Sequence, residues 1–367
     1  MIAWSHPCSA GFTLRGEHSA PSGKPVLHFL HGNGYCGRVY WPMLALLQAD
    51  FDIFISDVQG HGDTDHGGRF HGWNRSAELV LEAWRAHAGR FGTVPHFAVG
   101  HSFGGVLTAL LLAQARDEFR RAVLLDPVLF SPVMIGVMAL SDVVGLNKRN
   151  TLAQKARSRR SHWPDRATAY ASLHQRGMFK GWTAAALQAY VDYALKDSAD
   201  GAVELKCRPG REAEIFGSFP RRLWASLAKV QTPVKIDYGD HSYPFVAESV
   251  KRWQGINPQI GSEQVPGSHC FMQQDPAAAA ARICADPGLL NVIFPTKLQF
   301  RHIGGGRQKV LQLFRMSLVI LFHDIFENRQ GKTATGCGTE LIFCRLVVTH
   351  PHGDRELACE SGKPDVL

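Results

Sequence analysis

The sequence predicts an α/β fold, a mostly parallel sheet flanked by helices. Three observations carry that expectation. Apolar runs of strand length recur at Pro25–Leu30, Phe51–Asp57, Pro95–Val99 and Ala122–Leu125. Such short runs, bounded by turn residues, read as buried strands. Gly-rich loops follow the first two, at His31-Gly32-Asn33-Gly34 and Val58-Gln59-Gly60-His61-Gly62-Asp63. The third run passes through Gly100-His101-Ser102-Phe103-Gly104 into a smooth helix former, Val106–Ala115.

The elements can be taken in chain order. After the first strand, a tight Gly-bearing loop at His31–Gly34 can aim a backbone N–H at a reacting oxygen. The strand Phe51–Asp57 leads to the second glycine loop. Gly100-x-Ser102-x-Gly104 then has the strand-before, helix-after context of a nucleophile elbow. Its serine hydroxyl stands clear of the sheet, and the next amide points into the same space. A Cβ at Gly100 or Gly104 would crowd that turn. Downstream, Val265-Pro266-Gly267-Ser268-His269-Cys270-Phe271 is a loop with a histidine, and Asp275-Pro276-Ala277 opens a last helix running to about Ala285.

These four ordered motifs resemble the α/β-hydrolase family, over about residues 10 to 286. The family carries His-Gly-x-Gly, Asp-x-x-Gly-His-Gly, Gly-x-Ser-x-Gly and a late histidine loop. Here they stand at His31–Gly34, Asp57–Gly62, Gly100–Gly104 and Val265–Phe271. The resemblance implies an α/β-hydrolase sheet with a helical cap inserted after the sixth strand. It also implies a serine carboxylesterase, esterase- or lipase-like, working through an acyl-enzyme. Ser102 would be the nucleophile and His269 the base that takes its proton and returns it to the leaving group. The amides of Asn33 and Phe103 would hold the oxyanion.

The acid that orients His269 has two candidates. Relatives commonly place it in a Gly-x-x-Asp pattern after the strand Val234–Tyr238. Here Gly239 is followed three positions on by Ser242, and Asp240 stands two residues early. Other relatives place it after the strand Ala122–Leu125, where Asp126 stands before Pro127. Catalytic groups of open α/β sheets gather at the carboxyl ends of strands, which favours Asp126 over Asp240. The remaining histidines read as structural. His31 and His61 should serve loop hydrogen bonding, His101 should pack or bond locally, and His28 should be a satisfied core residue.

Residues 1–130 and 226–286 are expected to form the hydrolase core and residues 131–225 the helical cap. About a hundred residues between two core strands are too many for a bare loop. Thr183–Lys196 reads as an amphipathic helix, and Pro164-Asp165-Arg166 starts another with Tyr170, Leu173 and His174 at helical spacing. Phe130, Met134, Met138, Leu140, Met178, Phe179 and Trp182 are candidates for an apolar pocket, although packing within the cap is the commoner fate of such side chains. Lys148, Arg149, Lys155, Arg157, Arg159 and Arg160 read as a solvated face, or more sharply as a basic rim for anionic substrates or phospholipid. Residues 287–367 form an atypical C-terminal extension. Its apolar stretch Val310–Phe326 is interrupted by Arg315, His323 and Asp324, a poor membrane span. The polar Thr349–Leu367 reads as disordered.

Composition bounds the function. The chain has 367 residues, 45% hydrophobic and 20% charged, ordinary for a globular protein. Its formal charge of +8 is diffuse and comes with no nucleic-acid-binding signature, so no nucleic-acid partner is expected. The eight cysteines lack a framework spacing, and the N-terminus lacks a secretory pattern. Reduced thiols in a cytoplasm are the expectation. No His/Cys/Asp/Glu cluster has zinc-site spacing, and no cofactor is expected. The partner would be a small-molecule ester, without stable membrane insertion. Epoxide hydrolases and haloalkane dehalogenases share the fold but use an aspartate nucleophile, and Ser102 argues against both. A carbon–carbon hydrolase of diketone-like substrates and a non-catalytic small-molecule receptor on the same scaffold stay as alternatives.

Overall fold

In the computed structural model, residues 1–143, 150–286 and Leu289 are described. The elements run β1 (Ile2–Pro7), β2 (Thr13–His18), β3 (Val26–Leu30), α1 (Trp41–Leu47), β4 (Asp52–Asp57), α2 (Trp73–Ala88), β5 (His96–His101), α3 (Phe103–Leu112) and β6 (Arg121–Leu125). After an insertion come β10 (Val234–His241), α10 (Pro244–Ile256), β11 (Ile260–Ser268), α11 (Phe271–Gln274) and α12 (Pro276–Cys284). The eight-stranded sheet has the order β1-β2-β4-β3-β5-β6-β10-β11. Only the pairs β1–β2 and β2–β4 are antiparallel; the other five are parallel.

Burial explains why the inner strands read as unbroken apolar runs. All residues of β3 and β4 are buried, because helices cover both faces of a parallel sheet. Along β3 the side chains still alternate. Leu27 and Phe29 join the core on one face with Tyr40 and Phe97, while Val26 and Leu30 join the other with Trp84 and Val106. His28 points with the second set. It stacks on Trp84 at 5.3 Å, and its Nε2 lies 2.9 Å from Ser56 Oγ. Burial lowers its pKa to about 3, so it stays neutral. By contrast, β2 alternates half-buried and buried residues, as an outer antiparallel strand does.

Between β6 and β10 the insertion holds α4 (Pro132–Val143), α5 (Thr151–Ser158), β7 (His162–Trp163), α6 (Arg166–Leu173), α7 (Ala184–Tyr193), β8 (Leu195–Asp197), β9 (Val203–Leu205), α8 (Pro209–Phe216) and α9 (Leu223–Leu227). The all-helical expectation missed a three-stranded antiparallel sheet, β7-β9-β8. Its strands are too short for a period-2 pattern to stand out in sequence. Two helix starts follow from capping. The Asp165 carboxylate accepts from Thr168 N at the head of α6, and Thr183 Oγ1 accepts from Ala186 N at the head of α7. The expected helix to Lys196 ends at Tyr193, and Leu195 already belongs to β8. Among the described residues no helix is long and apolar enough to cross a membrane. Lys148, Arg149 and the stretches Val310–Phe326 and Thr349–Leu367 lie outside the described residues.

Candidate active site

Ser102 sits between β5 and α3 with φ 54° and ψ −115°, a strained conformation for a residue with a Cβ. The turn closes because its neighbours are glycines. A Cβ on Gly104 would come 2.4 Å from the carbonyl oxygens of both Leu30 and His31, and one on Gly100 would meet Thr108 Oγ1 at 2.3 Å. The turn therefore packs directly on the end of β3. The helix begins at Phe103, three residues earlier than the sequence reading placed it, and all ten of its residues are buried. Helix-start amides have no intrahelical acceptor, so the hydrogen-bond ladder of α3 does not use the Phe103 N–H next to Ser102.

The structure brings Ser102, His269 and Asp126 together. Ser102 Oγ lies 2.8 Å from His269 Nε2, and His269 Nδ1 lies 2.9 Å from Asp126 Oδ1. An ionised carboxylate only accepts, which assigns the imidazole proton to Nδ1. Nε2 is left free to accept from the serine hydroxyl. Asp126 is fully buried and has φ 48°. Two further donors hold it: Gly239 N–H reaches Oδ2 at 2.8 Å and Ser242 Oγ reaches Oδ1 at 2.5 Å. Asp240 is elsewhere. Its half-exposed carboxylate accepts from Gly267 N at 2.9 Å and contacts His241 Nδ1 at 2.6 Å.

The first glycine loop is pinned beside them. His31 Nδ1–H donates to Gly32 O at 2.8 Å, and its Nε2 accepts from Val58 N at 3.0 Å. His61 Nε2 accepts from Gly34 N at 3.0 Å. Burial keeps both rings neutral, His31 at a pKa of about 4 and His61 well below its usual value. Asn33 is buried, and its Nδ2 donates to Glu212 O in α8 at 3.1 Å. Asp57 accepts from Gly37 N at 2.8 Å, and burial raises its carboxyl to about 6.

His101 departs from the local role expected of it. Its Nε2–H donates to the carbonyl of His269 at 2.9 Å, and Tyr40 Oη donates to its Nδ1 at 2.6 Å. Tyr40 in turn accepts from Gly32 N at 3.1 Å. One hydrogen-bonded line thus runs from the first glycine loop to the histidine loop. Tyr40, Ser242 and Glu212 escaped the sequence reading because each acts across a long sequence separation. Only the broken Gly-x-x-Asp pattern pointed toward Ser242.

Of the pocket candidates, Phe179 and Trp182 are buried in the packing of the insertion, while Leu140 and Met178 are exposed. Met178 Sδ accepts from Tyr35 Oη at 3.2 Å. Arg159 is no solvated rim residue. It bridges Glu212 at 2.7 Å and Tyr190 Oη at 3.0 Å.

Comparison with known proteins agrees with this architecture. The sequence model of the serine aminopeptidase S33 family matches residues 21–194. Lipase LipV of Mycobacterium tuberculosis is 32% identical over 114 residues, 31% of this chain and 41% of that protein. The chain thus matches less than half the length of that relative. Among solved structures, E-2-(acetamidomethylene)succinate hydrolase has a TM-score of 0.61 at 21% identity, covering 77% of this chain and 98% of that one. A peroxisomal α/β-hydrolase of Saccharomyces cerevisiae gives 0.61 at 18% identity, covering 90% and 98%. Sheet order and these likenesses together give the chain the α/β-hydrolase fold.

Proposed function

We propose that the protein is a serine hydrolase that cleaves carboxylic esters of small molecules through an acyl-enzyme. The observation that carries this reading is the unbroken line from Ser102 Oγ through His269 to the buried Asp126. Ser102 attacks the acyl carbon as His269 Nε2 takes its proton. The amides of Asn33 and Phe103 stabilise the oxyanion, which develops charge where fixed donors need not reorganise. The imidazolium gives its proton to the leaving alcohol. Asp126 holds the Nδ1–H tautomer and offsets the positive charge. Water then enters by the same route and releases the acid. Residues 131–225 act as a cap that covers the nucleophile and shapes the acyl site. Residues 1–130 and 226–286 form the core beneath it. The free, buried Cys8, Cys36, Cys207 and Cys270 support a reducing, cytoplasmic setting.

The test is hydrolysis of p-nitrophenyl esters of increasing acyl length by the wild type and Ser102→Ala. Turnover that Ser102→Ala abolishes is expected, and the length profile then sizes the acyl site. Turnover unaffected by Ser102→Ala would overturn the reading. Cleavage of a vinylogous diketone without ester cleavage would move it to a carbon–carbon hydrolase. Absence of both, with no covalent labelling of Ser102, would move it to a small-molecule receptor.

A further inference from the structure

Asp126 Oδ1 is shared. It accepts from His269 Nδ1–H at 2.9 Å and from Ser242 Oγ at 2.5 Å. The second contact is built by the end of β10. Ser242 N donates to Gly239 O at 3.2 Å, which turns the chain back toward Asp126, and Gly239 N donates to Asp126 Oδ2 at 2.8 Å. A Cβ on Gly239 would meet the carbonyl oxygens of Gly267 and Ser268 at 2.4 and 2.6 Å. Glycine there lets the turn press against the histidine loop. One three-residue step therefore grips both carboxylate oxygens, and His269 approaches the same group from the opposite loop.

We propose that Ser242 is a positioning residue that sets how strongly Asp126 polarises His269. The inference rests on the hydrolase reading above for its effect on turnover, but not for its effect on the hydrogen bond. A carboxylate oxygen that accepts two hydrogens offers less negative charge to each of them. The serine hydroxyl thus draws charge from the oxygen that faces the imidazole. It also helps fix the carboxylate rotamer, which without it would be held on the β10 side by Gly239 through Oδ2 only. Other groups facing His269 are His101, whose ring lies 4.9 Å away and which burial keeps neutral, and Tyr243, whose ring lies 4.8 Å away. The thiol of the adjacent Cys270 is pushed up to about 12 by burial. With Tyr243 also raised by burial, none of these supplies a charge that could stand in for the shared carboxylate near neutral pH.

The experiment compares the wild type, Ser242→Ala and Ser242→Thr by two readouts. One is the proton resonance of His269 Nδ1–H, identified by its loss in His269→Ala. The other is the pH profile of kcat/KM on an ester that the wild type turns over. In Ser242→Ala the resonance should move downfield and the acidic limb should shift to higher pH. There kcat should fall about 3- to 10-fold at little change in KM, because a mispositioned acid affects the transition state more than substrate binding. Ser242→Thr keeps the hydroxyl and should return both readouts toward the wild type. A resonance and a limb that stay put in Ser242→Ala would overturn the proposal, as would a threonine variant that behaves like alanine. If the wild type turns over no ester, the ester-hydrolase reading fails, and the resonance alone still decides the role of Ser242.

Discussion

Arg159 Nη1 lies 2.7 Å from Glu212 Oε2, with the two side chains only 17% and 4% exposed. The pair joins α5's end to α8, and the backbone of Glu212 accepts from Asn33 in the first glycine loop. Burial raises the Glu212 carboxyl, and Arg159 opposes that rise. Removing one partner leaves a buried charge uncompensated, which costs about 3–5 kcal/mol. Arg159→Ala is therefore expected to loosen the insertion, read as faster proteolysis between β6 and β10 and a lower denaturation midpoint. Arg159→Met with Glu212→Leu should recover most of that loss. A single variant as stable as the wild type would refute the assignment.

The two acid candidates separate cleanly. Asp126→Asn keeps the shape but no longer favours the Nδ1–H tautomer of His269, and kcat should fall by roughly 10³- to 10⁴-fold. Asp240→Asn keeps an oxygen for Gly267 N and touches neither His269 nor Ser102, so activity should stay within about 2-fold. Steady-state kinetics on one ester decides between them. The reverse ranking would restore Asp240.

Acid should unfold the protein earlier than its carboxylates alone would dictate. His28 and His31 have folded pKa values of about 3 and 4 against the usual 6.5, both through burial. Each is depressed, so the unfolded chain binds more protons below pH 6.5, and stability is lost as pH falls from about 6.5 toward 4 and 3. Tryptophan fluorescence during urea denaturation at stepped pH measures this. His28→Gln should flatten the pH dependence in that window, even where it lowers stability at pH 7. An equal slope in the variant would count against a neutral His28.

Two glycine substitutions should act in opposite directions. Gly104→Ala drives a Cβ against the backbone of Leu30 and His31, and overpacking of this kind costs about 1–3 kcal/mol. Gly136, inside α4, has nothing within 4 Å of an added Cβ. Gly136→Ala should stabilise α4 by up to about 1 kcal/mol through helix propensity. Thermal denaturation of both variants checks the pair.

What the sequence made legible was local chemistry with a fixed spacing. Gly100 and Gly104 around Ser102 announce a turn because no other residue fits there. His31–Gly34 and Asp57–Gly62 announce loops at strand ends for the same reason. Asp126 could be ranked from its place at the end of a strand. The unreadable part consists of contacts made across the fold. His101 reaches His269, Ser242 reaches Asp126, and Arg159 turns inward to Glu212. Nothing in the neighbouring residues of each announces its partner. A run of arginines and lysines reads as a solvated face until the fold buries one of them.

Helix α8 holds two loops at once. Arg211 is fully buried, and its Nη2 donates to the carbonyls of His66 and Gly68, at 2.7 and 2.5 Å, beyond the second glycine loop. Glu212, the next residue, takes the Asn33 side chain through its carbonyl. Lifting α8 would drag Asn33 along. Helix α8 and the loop of Asn33 are thus interlocked. Any displacement of α8 therefore moves both glycine-bearing loops together, and the helix and the two loops return to register as one unit.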